Sequence, residues 1–370
     1  MSTLGFGMMR LPLKDPEDKT SIDYEVLNKM VDKYMGSGYD YFDTAYMYHD
    51  NVSEIAARKS VVERYPRDKF RLATKMPLMM LSKAEDHERI FNEQLQKCGV
   101  EYFDNYLLHN VCSEFIGTAE RLGTFDFLRQ KRSEGKIRKL GFSFHDRSDL
   151  LDKVLTENPD MDFVQLQINY LDWDDPSIDS RRCLEVARKH NVPVIVMEPV
   201  KGGLLANVSY DVREMFSGIE PDLSPATWAI RFAAVQDGVE TVLSGMSDMA
   251  QLEENIRCLD GFEGFDDVHS KAIQDAIGII NSTVAIPCTA CRYCMKSCPK
   301  DIQIADYFAL YNKEKANPPE GFSLQKLYYG NISKAHGKAS DCIGCGKCEK
   351  NCPQHLKIVE LLKDVGALFE

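Results

Sequence analysis

Tyr41-Phe42-Asp43-Thr44-Ala45-Tyr46-Met47-Tyr48 is the stretch on which the fold turns. An aromatic, strand-forming run reaches a carboxylate, and the chain then breaks into a loop carrying a phenol. A carboxylate at the C-terminal end of a strand, followed at once by a polar loop, is how a parallel barrel presents its chemistry. Three later apolar runs end in the same manner: Arg71-Leu72-Ala73-Thr74-Lys75, Tyr106-Leu107-Leu108-His109 and Gly141-Phe142-Ser143-Phe144-His145.

Outward from these runs, strand and helix signals alternate from Leu4 to about Val268. Candidate strands cover 4–8, 41–45, 70–74, 105–109, 139–144, 163–169, 193–199 and 240–245. Val26, Leu27, Met30, Val31, Tyr34 and Met35 fall on one helical face, and Ile90, Leu95 and Cys98 on another. Gly36-Ser37-Gly38 stops the first helix, and Asn191-Val192-Pro193 leads into a strand. Ser224-Pro225 supplies a cap and a first-turn proline for a helix over 226–235. Eight strand-then-helix units predict an α/β (β/α)8 TIM barrel rather than an open doubly wound sheet. No Gly-x-Gly-x-x-Gly follows the first strand, in keeping with that reading. In the sixth run Gln165, Gln167 and Asn169 alternate with Val164, Leu166 and Ile168, so the amides look into the barrel. They either satisfy one another there or bind a ligand; three at a strand end favour binding by at least one.

With 44% hydrophobic and 28% charged residues, the 370-residue chain can build one large domain and a small one. A net charge of −12 argues against a phosphate-backbone partner, so no nucleic acid is expected. No run approaches the roughly 20 apolar residues that span a bilayer, and the first residues lack a basic, then apolar, secretory pattern. A cytoplasmic enzyme is the expectation. Twelve cysteines in such a chain call for a metal or redox explanation before a disulfide one. Cys98, Cys112, Cys183 and Cys258 are scattered singly and read as small apolar residues. The other eight fall in two rows.

Asp43, Tyr48, Lys75 and His109 lie on or just after successive strands at one end of the expected barrel. A carbonyl being reduced by hydride needs a proton on its oxygen, and a free phenol with pKa near 10 holds its proton tightly. A nearby lysine lowers that pKa, an aspartate keeps the ammonium in place, and a neutral histidine orients the carbonyl. These residues, in this order, resemble the aldo-keto reductases over most of the first 260 residues. The family's Asp-Thr-Ala-x-x-Tyr stands here as Asp43-Thr44-Ala45-Tyr46-Met47-Tyr48; its lysine matches Lys75 and its histidine His109. Leu4-Gly5-Phe6-Gly7-Met8-Met9-Arg10-Leu11-Pro12 is similar to its opening strand.

That resemblance implies a small-molecule carbonyl or alcohol substrate, NADP(H) more than NAD(H) across the barrel mouth, and Tyr48 as general acid. It also implies that Ser143 and Gln165 hold the nicotinamide carboxamide. Pro199 with Lys201, Gly203 and Leu204 would cradle the pyrophosphate, and Ser247, Gln251, Glu254 and Asn255 the adenosine. The chain departs from the pattern at Phe144, where relatives carry asparagine, and at Met197, where many stack an aromatic ring. Gly245 and Gln251 replace a basic pair that some relatives place on the 2′-phosphate.

Cys288-Thr-Ala-Cys291-Arg-Tyr-Cys294-Met-Lys-Ser-Cys298-Pro299 is repeated by Cys342-Ile-Gly-Cys345-Gly-Lys-Cys348-Glu-Lys-Asn-Cys352-Pro353. This is the bacterial ferredoxin run, in which the fourth cysteine serves the other cluster. It implies two [4Fe-4S] clusters, held by Cys288, Cys291, Cys294 and Cys352, and by Cys342, Cys345, Cys348 and Cys298. Zinc is the competitor, but it leaves the third cysteine and the Cys-Pro ending unexplained. Helical stripes at Ile304, Tyr307, Phe308 and Tyr311, and at Ile358, Leu361, Leu362, Val365, Leu368 and Phe369, predict a mostly α-helical ferredoxin-like domain. Asn317-Pro318-Pro319-Glu320-Gly321 reads as a turn within it. The boundary is expected near residue 282, giving a barrel over 1–282 and a cluster domain over 283–370.

Hydride transfer moves two electrons while each cluster carries one. A flavin would split the pair; none is evident, and a flavin, a ferredoxin or flavoprotein partner and a homodimer are all left open. The alternatives to a reductase are an iron–sulfur electron-transfer subunit that uses the barrel as a docking scaffold, and a redox sensor.

Overall fold

The computed structural model describes residues 3–175, 178–262, 264–316 and 323–370. Strand β1 (Thr3–Gly7) pairs in parallel with β2 (Tyr41–Asp43), and the ladder continues through β3 (Arg71–Pro77), β4 (Phe103–Val111), β5 (Ile137–Phe144), β6 (Phe163–Gln167), β7 (Val194–Met197) and β8 (Val239–Gly245). β8 returns to β1, which closes the barrel. The expected (β/α)8 architecture is thus present.

Register explains where the polar strand ends fall. Tyr41, Ala73, Leu107, Phe163, Ile195 and Leu243 pack together inside the barrel. Because side chains alternate along a strand, the residue two positions on in each strand faces the same way. From Tyr41, Ala73, Leu107 and Phe163 that step leads to Asp43, Lys75, His109 and Gln165, one layer nearer the C-terminal mouth. The layer below is tight. A Cβ on Gly141 would lie 2.4 Å from the Phe163 carbonyl oxygen, so glycine there lets the Phe163 ring cross the barrel.

Helix Tyr24–Gly36 begins at Asp23, whose carboxylate accepts from the Glu25 and Val26 amides. It buries Leu27, Met30, Val31 and Tyr34 against the barrel wall, each worth roughly 1.5–3 kcal/mol if fully removed from water. The Tyr34 hydroxyl donates to the Leu4 and Tyr41 carbonyls, fixing the helix to β1 and β2. The helix expected over 226–235 runs from Pro225 to Ala234.

The chain divides into two compact units, one comprising Met1–Pro199 with Thr227–Gly264, the other Val200–Ala226 with Phe265–Glu370. The second is mostly helical, with Asp267–Thr283, Ile304–Ala316, Leu324–Ala335 and Ile358–Phe369 as its longer helices. Both expected stripes face its interior: Ile304, Tyr307, Phe308, Tyr311, Ile358, Leu362, Val365 and Phe369 are buried, and Leu361 and Leu368 pack against them. The turn expected at Asn317–Gly321 lies outside the described residues. Among those described, no helix is long and apolar enough to cross a membrane.

Candidate functional site

At the barrel mouth Lys75 is fully buried, and its Nζ donates to Asp43 Oδ1 (2.5 Å), the Thr44 carbonyl (2.8 Å) and Tyr48 Oη (3.3 Å). The other Asp43 oxygen accepts from Gln165 Nε2 at 3.1 Å. The His109 ring stands edge-on to Tyr48, centroids 6.0 Å apart, and its buried Nδ1 has no hydrogen-bond partner among the described residues. Tyr48 opens a short 3-10 turn in which His49 and Asp50 adopt φ of 50° and 49°. Such left-handed backbone costs a non-glycine residue about 1 kcal/mol or more, and here it redirects the chain straight after the phenol.

Burial dominates the electrostatics. It pushes the Tyr48 phenol well above its ordinary value, with Asp43 and Glu198 adding to the effect. The sequence argument expected Lys75 to pull that phenol down. Instead burial lowers the pKa of Lys75 itself, and Asp43 opposes the drop by pairing with the ammonium. His109 is driven well below the usual imidazole value by burial, then by Lys75 and His145, so its ring is neutral.

A further layer of support was not legible in the sequence. Glu54 is buried and accepts from Thr74 Oγ1 and Gln94 Nε2, both at 2.7 Å; Gln94 Nε2 also reaches the Lys75 carbonyl at 3.0 Å. These contacts hold β3 at Lys75 from outside the barrel. The one available signal was a glutamate in an otherwise apolar helical turn, Glu54-Ile55-Ala56-Ala57.

Of the three amides on the sixth strand run, only Gln165 joins the Asp43 group. Gln167 Nε2 and Asn169 Nδ2 both donate to Asp172 Oδ2, at 2.7 and 2.6 Å. Ser143 Oγ accepts from the Asn110 amide at 2.8 Å. After β8, Ser247 Oγ donates to the Arg10 carbonyl, and the Ser247 amide donates to Gln251 Oε1. Glu254 accepts from Thr227 Oγ1, and the buried Asn255 donates to Ser244 Oγ. Phe144 is buried and Met197 half-buried, and Trp173 packs edge-on against Phe232 at 5.4 Å. Pro199 follows β7 after Glu198; Lys201, Gly203 and Leu204 belong to the second compact unit.

In that unit the cysteines sort crosswise. Cys288, Cys291, Cys294 and Cys352 line one hollow, with Phe308, Leu356 and Ile358. Cys298, Cys342, Cys345 and Cys348 line another, with Ile302, Val359 and Leu362. The two rows share a backbone trace: left-handed residues fall at Ala290, Arg292 and Asp301 in the first, and at the matching Gly344, Gly346 and His355 in the second. Such turns aim amides at the cysteine sulfurs, as the Ala290 amide does toward Cys288 Sγ at 3.4 Å. A zinc ion needs its sulfurs about 2.3 Å from one point. Among the described residues no three His, Cys, Asp or Glu side chains converge to hold a single ion. Four thiols spread around a hollow suit a multi-iron cluster.

A closed parallel barrel with a lysine, carboxylate, phenol and imidazole at its C-terminal mouth defines a class of (β/α)8 enzyme-like proteins. The chain belongs to the aldo/keto reductase family, whose profile matches residues 3–276, and residues 287–356 match a 4Fe-4S dicluster domain. An uncharacterized oxidoreductase, YqkF, of Bacillus subtilis (strain 168) is 25% identical over 262 residues, covering 62% of this chain and 80% of that protein. Among solved structures, a thermostable aldo-keto reductase, Tm1743, bound to the inhibitor epalrestat is 19% identical (TM-score 0.59; 75% of this chain, 95% of that one). A Klebsiella pneumoniae aldo-keto reductase in complex with NADPH is also 19% identical (TM-score 0.57; 74% and 90%). At these identities the structural likenesses speak for the fold.

Proposed function

We propose that the protein is a nicotinamide-dependent carbonyl reductase, reversibly an alcohol dehydrogenase, with two [4Fe-4S] clusters in the same chain. The supporting observation is the contact of Lys75 Nζ with both Asp43 and Tyr48 Oη, beside a neutral His109. Along the sequence we place the reductase part over 1–282 and the cluster part over 283–370; in space Val200–Ala226 and residues 265–282 group with the latter.

NADPH, the nucleotide in the complex of the Klebsiella protein, would supply the hydride when bound. The chain supplies the proton. Tyr48 keeps its hydrogen in the resting site, where burial opposes phenolate formation. As the substrate oxygen gains charge, the Tyr48 O–H bond breaks and an O–H bond forms on the substrate. Lys75 then faces the phenolate at hydrogen-bond distance, anchored by Asp43 and Thr44, until solvent returns the proton. His109, being neutral, can donate to the same oxygen without competing for the proton. Gln165 holds Asp43 from its far side, and Ser143 and Gln165 are the candidates for the nicotinamide carboxamide. Backbone amides at Gly203 and Leu204 suit pyrophosphate, and Ser247, Gln251, Glu254 and Asn255 suit adenosine.

The test is NADPH oxidation against a panel of aldehydes and ketones, with Tyr48→Phe as the comparison. Loss of about 10²- to 10⁴-fold in kcat with nucleotide binding retained is expected. Unchanged turnover in Tyr48→Phe sinks the assignment.

A further inference from the structure

Lys201 stands in the segment that joins β7 to the second compact unit, where a pyrophosphate contact was expected. Its side chain does not behave as a surface cation waiting for phosphate. It is 4% exposed, and its Nζ donates to Gln354 Oε1 at 3.1 Å. Gln354 is itself 6% exposed and lines the hollow of Cys288, Cys291, Cys294 and Cys352, two residues beyond Cys352. Next along the chain, Gly202 lies at φ 65° against the Cys288–Cys291 turn; a Cβ there would meet the Thr289 carbonyl oxygen at 2.5 Å and its Cα at 2.8 Å. Thr289 lines the same hollow.

We infer that Lys201 is an electrostatic partner of the first cluster, held against its ligand shell by Gln354 and by the Gly202–Thr289 packing, and that it raises the reduction potential of that cluster relative to the second. A positive charge in a poorly solvated setting favours the more negative, reduced cluster, and its effect is screened little by salt. The linings of the two hollows each hold one exposed cation, Arg292 in the first and Lys300 in the second, but among the described residues of this unit no lysine or arginine other than Lys201 is buried, and Cys345 of the second hollow is exposed. The two sites, alike in backbone, are thereby made unlike in charge. The inference deepens the proposed function in one respect, which rests on that reading: the segment assigned to the pyrophosphate is packed on a cluster.

The experiment is an EPR-monitored redox titration of the full-length, anaerobically reconstituted protein, with iron content matched between variants. In Lys201→Gln one of the two one-electron steps is expected to move to lower potential by at least tenfold in its equilibrium constant, about 59 mV, while the other stays. Lys201→Arg keeps the step near its original place. If Lys201→Gln does not take up iron, Gln354→Glu carries the same prediction, since it sets a negative charge at the same spot. Two unmoved steps, or two that move equally as for a change of overall charge, overturn the inference. A parallel NADPH titration by fluorescence separates the two claims: no binding to wild-type protein defeats the nucleotide reading and leaves the potential shift standing on its own.

Discussion

Lys75 is asked to do two things that pull against each other. In the mechanism proposed above it must stay charged to compensate a phenolate, and it is buried in contact with Tyr48. Burial lowers its pKa, and the Asp43 contact at 2.5 Å is what keeps the ammonium intact. Removing that contact leaves a buried, unpaired amine, so Asp43→Asn should cost about 3–5 kcal/mol in stability as well as activity. Urea denaturation against wild type checks it, and an unchanged midpoint would count against the pairing. The directions at Tyr48 and His109 also fix the pH behaviour. With the phenol raised and the imidazole depressed, both keep one form from about pH 6.5 to 9, so the reductive kcat should be flat across that window. His109 adds a stability signature. Unfolded, it takes up a proton near pH 6.5, whereas the folded ring does not, so stability falls as pH drops below about 6.5. A denaturation midpoint that rises on acidification from pH 7 to 5 would contradict this.

Strands and helices carried most of what the sequence could say. All eight strands were legible because each is a short apolar run bounded by turn residues, and the crossover helices leave no other place for such runs. The ends were less legible, for local reasons. The sixth strand stops at Gln167, not Asn169, because the Asn169 side chain turns to accept from the Leu171 and Asp172 amides. The seventh stops at Met197 because Glu198 takes φ of 55°. Asp43, Lys75 and His109 of the proposed catalytic group could be read from strand ends, since register alone brings those positions together. Glu54 and Gln94 could not, being 40 residues apart and joined only in three dimensions. The same tightness yields a prediction at this scale. Gly141→Ala places a methyl into the Phe163 backbone and should destabilise the barrel by about 1–3 kcal/mol, read as a lower urea midpoint with secondary structure kept.

For the molecule as a whole, the second unit has a core that includes cysteines we propose as cluster ligands. Cys294 and Cys348 are buried in one cluster with Tyr307, Phe308, Leu362 and Phe369, and Cys288, Cys298, Cys342 and Cys352 pack against it. Its stability and its iron are therefore linked, as binding energy that exists only in the folded state becomes folding energy. Chelating the iron under anaerobic, reducing conditions should open residues 265–370 to trypsin while 3–199 stays resistant. An identical digestion pattern with and without iron would show the unit folds unaided.

The crosswise sorting of the cysteines has a consequence for biosynthesis. Three thiols of one hollow come from the first row and the fourth is Cys352; for the other, the lone contributor is Cys298. If the clusters bind as proposed, neither row is a self-sufficient nest, and a ribosome that has made only the first exposes four thiols with nowhere to close. Iron delivery must wait until Cys352 has emerged, and whatever guards the early thiols from oxidation has to do so for the time taken to translate everything between.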